Sequence, residues 1–276
     1  MYSVVAKARL VKTETARIGE YLRTLSPSDW STQSACDSWQ VRDVVAHMTG
    51  AVDMFGPNIA RGAAGDASPP EGFPPAGQGD MAARLAANAQ RAIDFRDSLG
   101  DGLLEAFNER RVQFDEAVSR LGDSDWDKPC YHPAGTISVE TYLNLRITEL
   151  IVHEWDIRSR LQPAAVMSPE SLPAIIEMFP GFVVGRLFNP ASRLSMTGRF
   201  RFELTGPVSG SHDIVAGGGV KALMEPAGQE TPVVTFSCDT QTFVLLVYGR
   251  IALQEAVAAK QITISGDSGL AAQFGG

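Results

Sequence analysis

No stretch of this 276-residue chain approaches the roughly 18 consecutive apolar residues that a membrane span requires, so no membrane role is expected. Cysteine is scarce. Cys36, Cys130 and Cys238 are odd in number and far apart, which argues against a disulfide framework and against a paired-cysteine zinc ribbon. Positive charge is also short: 24 Lys and Arg stand against 32 Asp and Glu, for a net charge of −8, and no basic cluster is available to neutralise phosphates. Nucleic acid is therefore disfavoured as a partner. No internal repeat occurs. The opening residues MYSVVAKARLVKTETARIGEYL lack the continuous apolar block of a secretory signal and read as the first amphipathic helix of a cytoplasmic protein.

What is present is an ordinary globular composition, 44% hydrophobic, at a length of about two domains. Helical periodicity predicts a helix over about Val5–Leu25, a second over Trp39–Ala64 with Asp37 or Ser38 as its N-cap, a third over Met81–Leu121 with a candidate break at the glycines of 99–102, and a fourth over Val139–Leu161. Four long amphipathic segments read as a helix bundle spanning residues 1–162. Between the second and third helices lies GDASPPEGFPPAGQGD, residues 65–80, too rich in Gly and Pro for a helix and read as a linker or a lid. From 163 to 276 the pattern changes. RFRFEL at Arg199–Leu204 alternates as a half-buried strand, Gly206–Gly219 reads as turns, and strands at Pro232–Ser237 and Gln261–Ser265 alternate with helices at Asp239–Val247 and Asp267–Phe274. The fold class is α+β in two domains, a four-helix bundle followed by a smaller α+β domain.

Of only four histidines, two fall inside apolar helices. The stretch LNLRITELIVHEWDI, residues 143–157, is too apolar for a surface helix, and within it Arg146, Glu149, His153 and Asp156 recur at spacings of three, four and three, a polar line down one face. In VRDVVAHMTGAVDMF, His47 falls within the apolar stripe of Val44, Met48, Ala51 and Phe55, so its imidazole also faces inward. A buried carboxylate such as Glu149 needs a cation beside it, and a divalent metal would satisfy Glu149, His47 and His153 together. The spacing of Glu149 and His153 alone is much less specific than an H-E-x-x-H signature. Asp43 and Asp156, each about a turn from a histidine, are placed either to orient a ligand or to pair with Arg42 or Arg146. Cys36 and Cys130 read as core or loop residues, His132 and His212 as surface residues, with His132 able to approach the site.

Two segments carry a family likeness. WSTQSACDSWQVRDVVAHMTG holds Trp30, Cys36, Trp39, Arg42, Asp43 and His47, with Ser38 where glycine is common; ITELIVHEWDIR holds Glu149, His153, Trp155, Asp156 and Ile157, with the bulkier Glu154 at a position for a small residue. Together they resemble the signature segments of the mycothiol-dependent maleylpyruvate isomerase family, whose N-terminal domain is a DinB-like four-helix bundle. The tail, TFVLLVYGR and then ITISGDSGLAAQF, resembles the end of sterol-carrier-protein-type domains. The resemblance implies zinc held by His47, Glu149 and His153, and mycothiol, a low-molecular-weight thiol, as cosubstrate. In the isomerase reaction of that family, thiolate adds to a cis double bond, the resulting single bond rotates, and elimination returns the trans isomer.

Two histidines and one carboxylate would leave positions open on zinc, which suits a catalytic site. The reading that follows is a metal- and thiol-dependent isomerase or S-transferase acting on a small, electrophilic and anionic substrate, in a monomer or homodimer. Arg146 is a candidate for gripping a substrate carboxylate, and Arg250 for reaching one from the second domain, which is expected to wall the site. The same ligand set serves a zinc hydrolase that activates water, or a binding protein that retains the metal without turnover.

Overall fold

The computed structural model describes residues 2–36, 39–78, 81–162, 164–190 and 194–275, which fall into two compact units divided between Val166 and Met167. In the first, helix α1 runs Val4–Leu22, capped by Ser3, whose hydroxyl accepts from the Ala6 amide; a single turn, α2, follows at Pro27–Trp30. Helix α3 spans Val41–Ala63. Its N-cap is Gln40, whose amide donates to the Asp43 carboxylate, while Asp37 and Ser38, the caps expected from sequence, lie outside the described residues. The long third helix does break where the glycines predicted: α4 is Met81–Leu99, Gly100 turns the chain at φ +52°, and α5 is Leu103–Ser119. A two-stranded ribbon, β1 Pro129–Cys130 and β2 Ile137–Ser138, leads into α6, Val139–Leu161, capped by the Ser138 hydroxyl.

Helix α6 is the axis of the bundle. Most of its residues are buried, α1 and α3 pack against it, and α5 packs against α1 and α3. That is why LNLRITELIVHEWDI lacks a solvent face: a helix surrounded by others is apolar on every side except where polar groups find partners inside. Gly62 near the end of α3 admits the ribbon, because a Cβ there would collide with the Cys130 sulfur and the Pro129 carbonyl. Among the described residues no helix is long and apolar enough to cross a membrane.

The second unit is a five-stranded sheet in the order β5-β4-β3-β6-β7, with β3 Gly198–Thr205, β4 Gly210–Gly217, β5 Val220–Pro226, β6 Val234–Asp239 and β7 Ile262–Gly266. All neighbours are antiparallel except β3 and β6. Helices α7 Leu172–Glu177, α8 Thr240–Val247, α9 Leu253–Ala258 and α10 Ser268–Gly275 complete it. Phe200 and Phe202 alternate inward from β3 and meet Phe236, Phe243 and Phe274 in one aromatic core. The architecture is therefore α+β, a helical unit followed by a mixed sheet with helices. Gly206–Gly219 corrects the turn reading: it contains β4, which pairs with β3 and with β5, so His212 lies in a strand opposite Phe202 rather than in a surface turn. The glycines that suggested turns serve the hairpin, since Gly217, Gly218 and Gly219 all have positive φ, the region glycine adopts without penalty.

Candidate metal centre

Helix α3 supplies His47 and α6 supplies Glu149 and His153, four residues apart and hence on one face. The Glu149 Oε2 oxygen lies 2.9 Å from His47 Nε2 and 3.4 Å from His153 Nε2. Metal–ligand bonds of about 2.0–2.1 Å in tetrahedral geometry set neighbouring ligand atoms about 3.3 Å apart. The three ligand atoms all lie within 4.8 Å of one another, close enough to converge on one ion with small adjustments, and nitrogen and oxygen donors suit zinc. The imidazoles meet edge to face at 4.8 Å between centroids, and the Trp39 ring covers His47 at 4.9 Å. Glu149 keeps 28% and His47 20% of the side chain exposed, so the cluster is reachable from outside.

The far side of His153 is fixed. Its Nδ1 is 2.9 Å from Asp156 Oδ2, and Asp156 is fully buried one turn further along α6. A carboxylate that accepts a hydrogen bond from Nδ1–H sets the tautomer and turns Nε2 towards Glu149, the arrangement by which outer partners orient metal-binding histidines. Cys36 joins from the loop before α3: its thiol donates to the same Asp156 oxygen at 3.0 Å and lies 4.0 Å from His153 Nδ1. Burial pushes the Glu149 carboxyl up, but hydrogen bonds to His153 and His47 and their charges outweigh it and hold the group well below the usual range. Burial likewise depresses His153, and the bonds to Asp156, Cys36 and Glu149 reverse that and raise it well above an ordinary histidine. The two ring nitrogens of His153 thus face two carboxylates, and a divalent cation held at Nε2 would compensate Glu149 in place of a proton.

The cluster opens on a cavity of about 720 Å³ within the helical unit. His47 and Glu149 line it at one end; α3 and α4 form two walls, and the ribbon contributes Tyr131 and His132. The Pro/Gly segment closes over it. Pro70 and Phe73 face the cavity, the Tyr131 hydroxyl donates to the Pro74 carbonyl at 2.9 Å, and the Gly77 amide donates to the Pro133 carbonyl at 3.0 Å. Part of residues 65–78 thus covers the cavity and is pinned to the ribbon; Gly79 and Asp80 lie outside the described residues.

The structure brings His47, Glu149 and His153 together. It corrects Arg146, which follows them on the same helix line but is almost wholly buried: Nη1 donates to the Met48 carbonyl at 2.8 Å and the guanidinium lies over the Phe114 ring. Burial lowers its pKa to about 10 against the pull of Glu149 and Asp115. Arg146 ties α6 to α3 and α5 rather than gripping a substrate. Arg250 belongs to the second unit and donates to the Tyr248 carbonyl at 3.0 Å. Asp43 pairs with Arg96 of α4, a partner sequence spacing did not offer, whereas Asp156 takes the orienting place. His132 does reach the cavity, and its Nδ1 accepts from the Ala134 amide. Cys36 is the residue that sequence reasoning missed. Its signal was its place between Trp30 and His47 in the first segment, because no helical spacing connects it with Asp156, 120 residues away.

Fold and site together define a two-unit protein whose helical bundle carries a histidine–carboxylate metal-type centre at the mouth of a cavity. Residues 11–158 match the mycothiol maleylpyruvate isomerase N-terminal domain, and the chain belongs to that family; residues 190–276 match the SCP-2 sterol transfer family. The crystal structure of the mycothiol-dependent maleylpyruvate isomerase is similar at a TM-score of 0.60, with 15% identity over 96% of this chain and 93% of that one. A histidine-to-alanine mutant of that protein matches with the same figures. At this identity the likeness is one of fold. No curated protein matches the chain.

Proposed function

We propose that this protein is a metal- and thiol-dependent isomerase or S-transferase acting on a small electrophile, with zinc or another divalent ion held by His47, Glu149 and His153 and with mycothiol as the thiol. The observation that carries the reading is the convergence of His47 Nε2, Glu149 Oε2 and His153 Nε2 at a cavity mouth, with the outer nitrogen of His153 tied to buried Asp156. A bound divalent ion would supply Lewis acidity and stabilise a thiolate or hydroxide at neutral pH. The chain does the rest. Asp156 fixes the His153 tautomer, Trp39 shields His47, and the lid segment excludes water from the space in which the electrophile would sit. Addition of the thiolate sulfur to one alkene carbon frees rotation about the former double bond, and expulsion of the thiolate restores the alkene in the other geometry. Where the attacked carbon bears a leaving group, its departure with the bonding electron pair, instead of the thiolate's, leaves the sulfur bound as a conjugate.

The test is turnover by the zinc-loaded full chain of a panel of activated alkenes and other soft electrophiles, with and without mycothiol. Turnover only with the thiol supports the proposal. Steady turnover without any thiol would favour a zinc hydrolase, and metal binding with no turnover across the panel would favour a binding protein.

A further inference from the structure

The cavity beside the metal-type cluster is built for something other than a compact diacid. Along α3 the lining residues His47, Gly50, Ala51, Met54 and Asn58 follow the i, i+3, i+4, i+7, i+11 pattern of one helix face, which forms the floor. From His47 to Asn58 that floor runs about 16 Å at 1.5 Å per residue. A volume of about 720 Å³ lies in the range of sites that enclose ligands of drug size. The walls are aromatic and aliphatic: Phe55, Phe73, Phe95 and Tyr131 surround the space, with Leu145 on α6. Gly50 helps to make the room, since a Cβ there would already sit 3.5 Å from the Phe95 ring.

Cationic side chains are sparse on the walls. Arg91 is the sole lysine or arginine among the lining residues, and its guanidinium bonds Asn88. Against it stand three carboxylates, Asp53, Asp94 and Glu149, of which Asp53 is paired with Arg110. A small dianion would leave most of the volume empty and wet an aromatic surface.

Resting on the thiol-dependent reading above, we infer that the electrophile accepted here carries an aryl or comparably bulky apolar group, neutral or singly charged, which lies along α3 under Phe73 with its reactive carbon at the His47 and Glu149 end. This replaces the small anion expected from sequence. Burying a ring against these walls favours the aryl ligand by about tenfold or more in affinity.

The experiment uses the zinc-loaded full chain and separates binding from turnover. Binding of two unreactive ketones, 4-phenylbutan-2-one and pentan-2-one, and of succinate is measured by calorimetry. Thiol-dependent turnover is measured with the matching enones, 4-phenylbut-3-en-2-one and pent-3-en-2-one, in the presence of mycothiol. The expected result is at least tenfold tighter binding of the phenyl ketone than of pentan-2-one, no measurable binding of succinate, and a matching preference in kcat/KM. Gly50→Leu, which fills the floor with a better helix former, and Phe73→Ala, in the exposed lid, should each cut the phenyl preference severalfold. Equal binding of the two ketones, tighter binding of succinate, or a phenyl preference untouched in both variants would overturn the inference, even if small enones turned over with mycothiol. Tight, variant-sensitive binding of the phenyl ketone without any thiol-dependent turnover would support the cavity assignment while removing the thiol reading.

Discussion

Each unit sets a carboxylate against cationic partners, fully buried in one and open to a cavity in the other, and the two do it with opposite chemistry. In the sheet unit Asp213 is fully buried on β4 and takes Arg201 Nε at 2.8 Å, Arg201 Nη2 at 3.1 Å and Arg199 Nη1 at 3.1 Å from the facing strand. Burial pushes its carboxyl up, the bonds from Arg201 and Arg199 outweigh that, and the net shift is downward. In the helical unit Glu149 meets two imidazoles and its outcome has the same sign. A guanidinium, however, keeps its charge at any physiological pH, presents only donors and cannot ligate a cation, so the Asp213 cluster is closed. An imidazole that gives up its proton becomes a ligand, so the Glu149 cluster can exchange protons for a metal. A buried carboxylate marks a functional site only when its partners have something else to do.

The largest expected effect comes from removing one such partner. Zinc in finger peptides is bound by about 10–16 kcal/mol over four ligands, so His153→Ala should weaken zinc at least about a hundredfold. Elemental analysis after zinc reloading and gel filtration should find the variant empty, with turnover at background and the bundle still folded by circular dichroism; a zinc-replete variant would remove His153 from the site. Asp213→Ala should act on stability instead. It strands two arginines that keep other partners in Glu225, Glu230 and the Gly228 carbonyl, so the cost to the sheet unit should be about 2–3 kcal/mol, below that of breaking a fully enclosed pair. Denaturant unfolding should show the loss, while zinc stoichiometry stays at the wild-type value.

A smaller effect should follow from Asp156→Asn, which keeps the shape but loses the charge that accepts the hydrogen bond from His153 Nδ1–H. Loss of such an outer partner weakens metal binding by about 10–100-fold. Competition with a chromophoric chelator measures it, and an unchanged affinity would mean that packing alone orients His153.

That residue also shows how far the sequence could be read. Helical periodicity on two apolar segments was enough to place Glu149, His153 and Asp156 on one face and to turn His47 inward, because within a helix the angular position of a side chain follows from residue number alone. It could not say what stood opposite. Arg146 sat in the same polar line and looked like a substrate clamp, yet its partner is the Met48 carbonyl, 98 residues away. The cavity, with Phe73 from the lid and Phe95 from α4, and the thiol of Cys36 beside Asp156 likewise arise from segments that meet only in the fold. In the second unit the alternation of Phe200 and Phe202 announced β3, whereas β4 was hidden by the glycines of its hairpin, whose local signal is that of a turn.

The smallest effect tests both units with one pair of probes. Cys130 in the bundle and Cys238 in the sheet are buried free thiols, whose desolvation pushes them up from about 9 to about 11 and about 12. A thiol whose folded pKa is raised stabilises the fold fully below its unfolded pKa, and that contribution is lost as pH climbs from there towards the folded value, because the unfolded chain sheds its proton first. The window therefore opens near pH 9, and by pH 10 each thiol should have cost its unit roughly 1 kcal/mol. Denaturant unfolding at pH 8 and pH 10, in wild type and in Cys130→Ala and Cys238→Ala, isolates the term. Each variant should lose less stability than wild type across that interval, in its own unit only, whatever its stability at pH 8. Equal losses in all three proteins would mean that other alkaline groups govern the transition. Thiol labelling of the native protein at pH 8 gives the independent check: half-buried Cys36 should react first, with Cys130 and Cys238 following only as their units open.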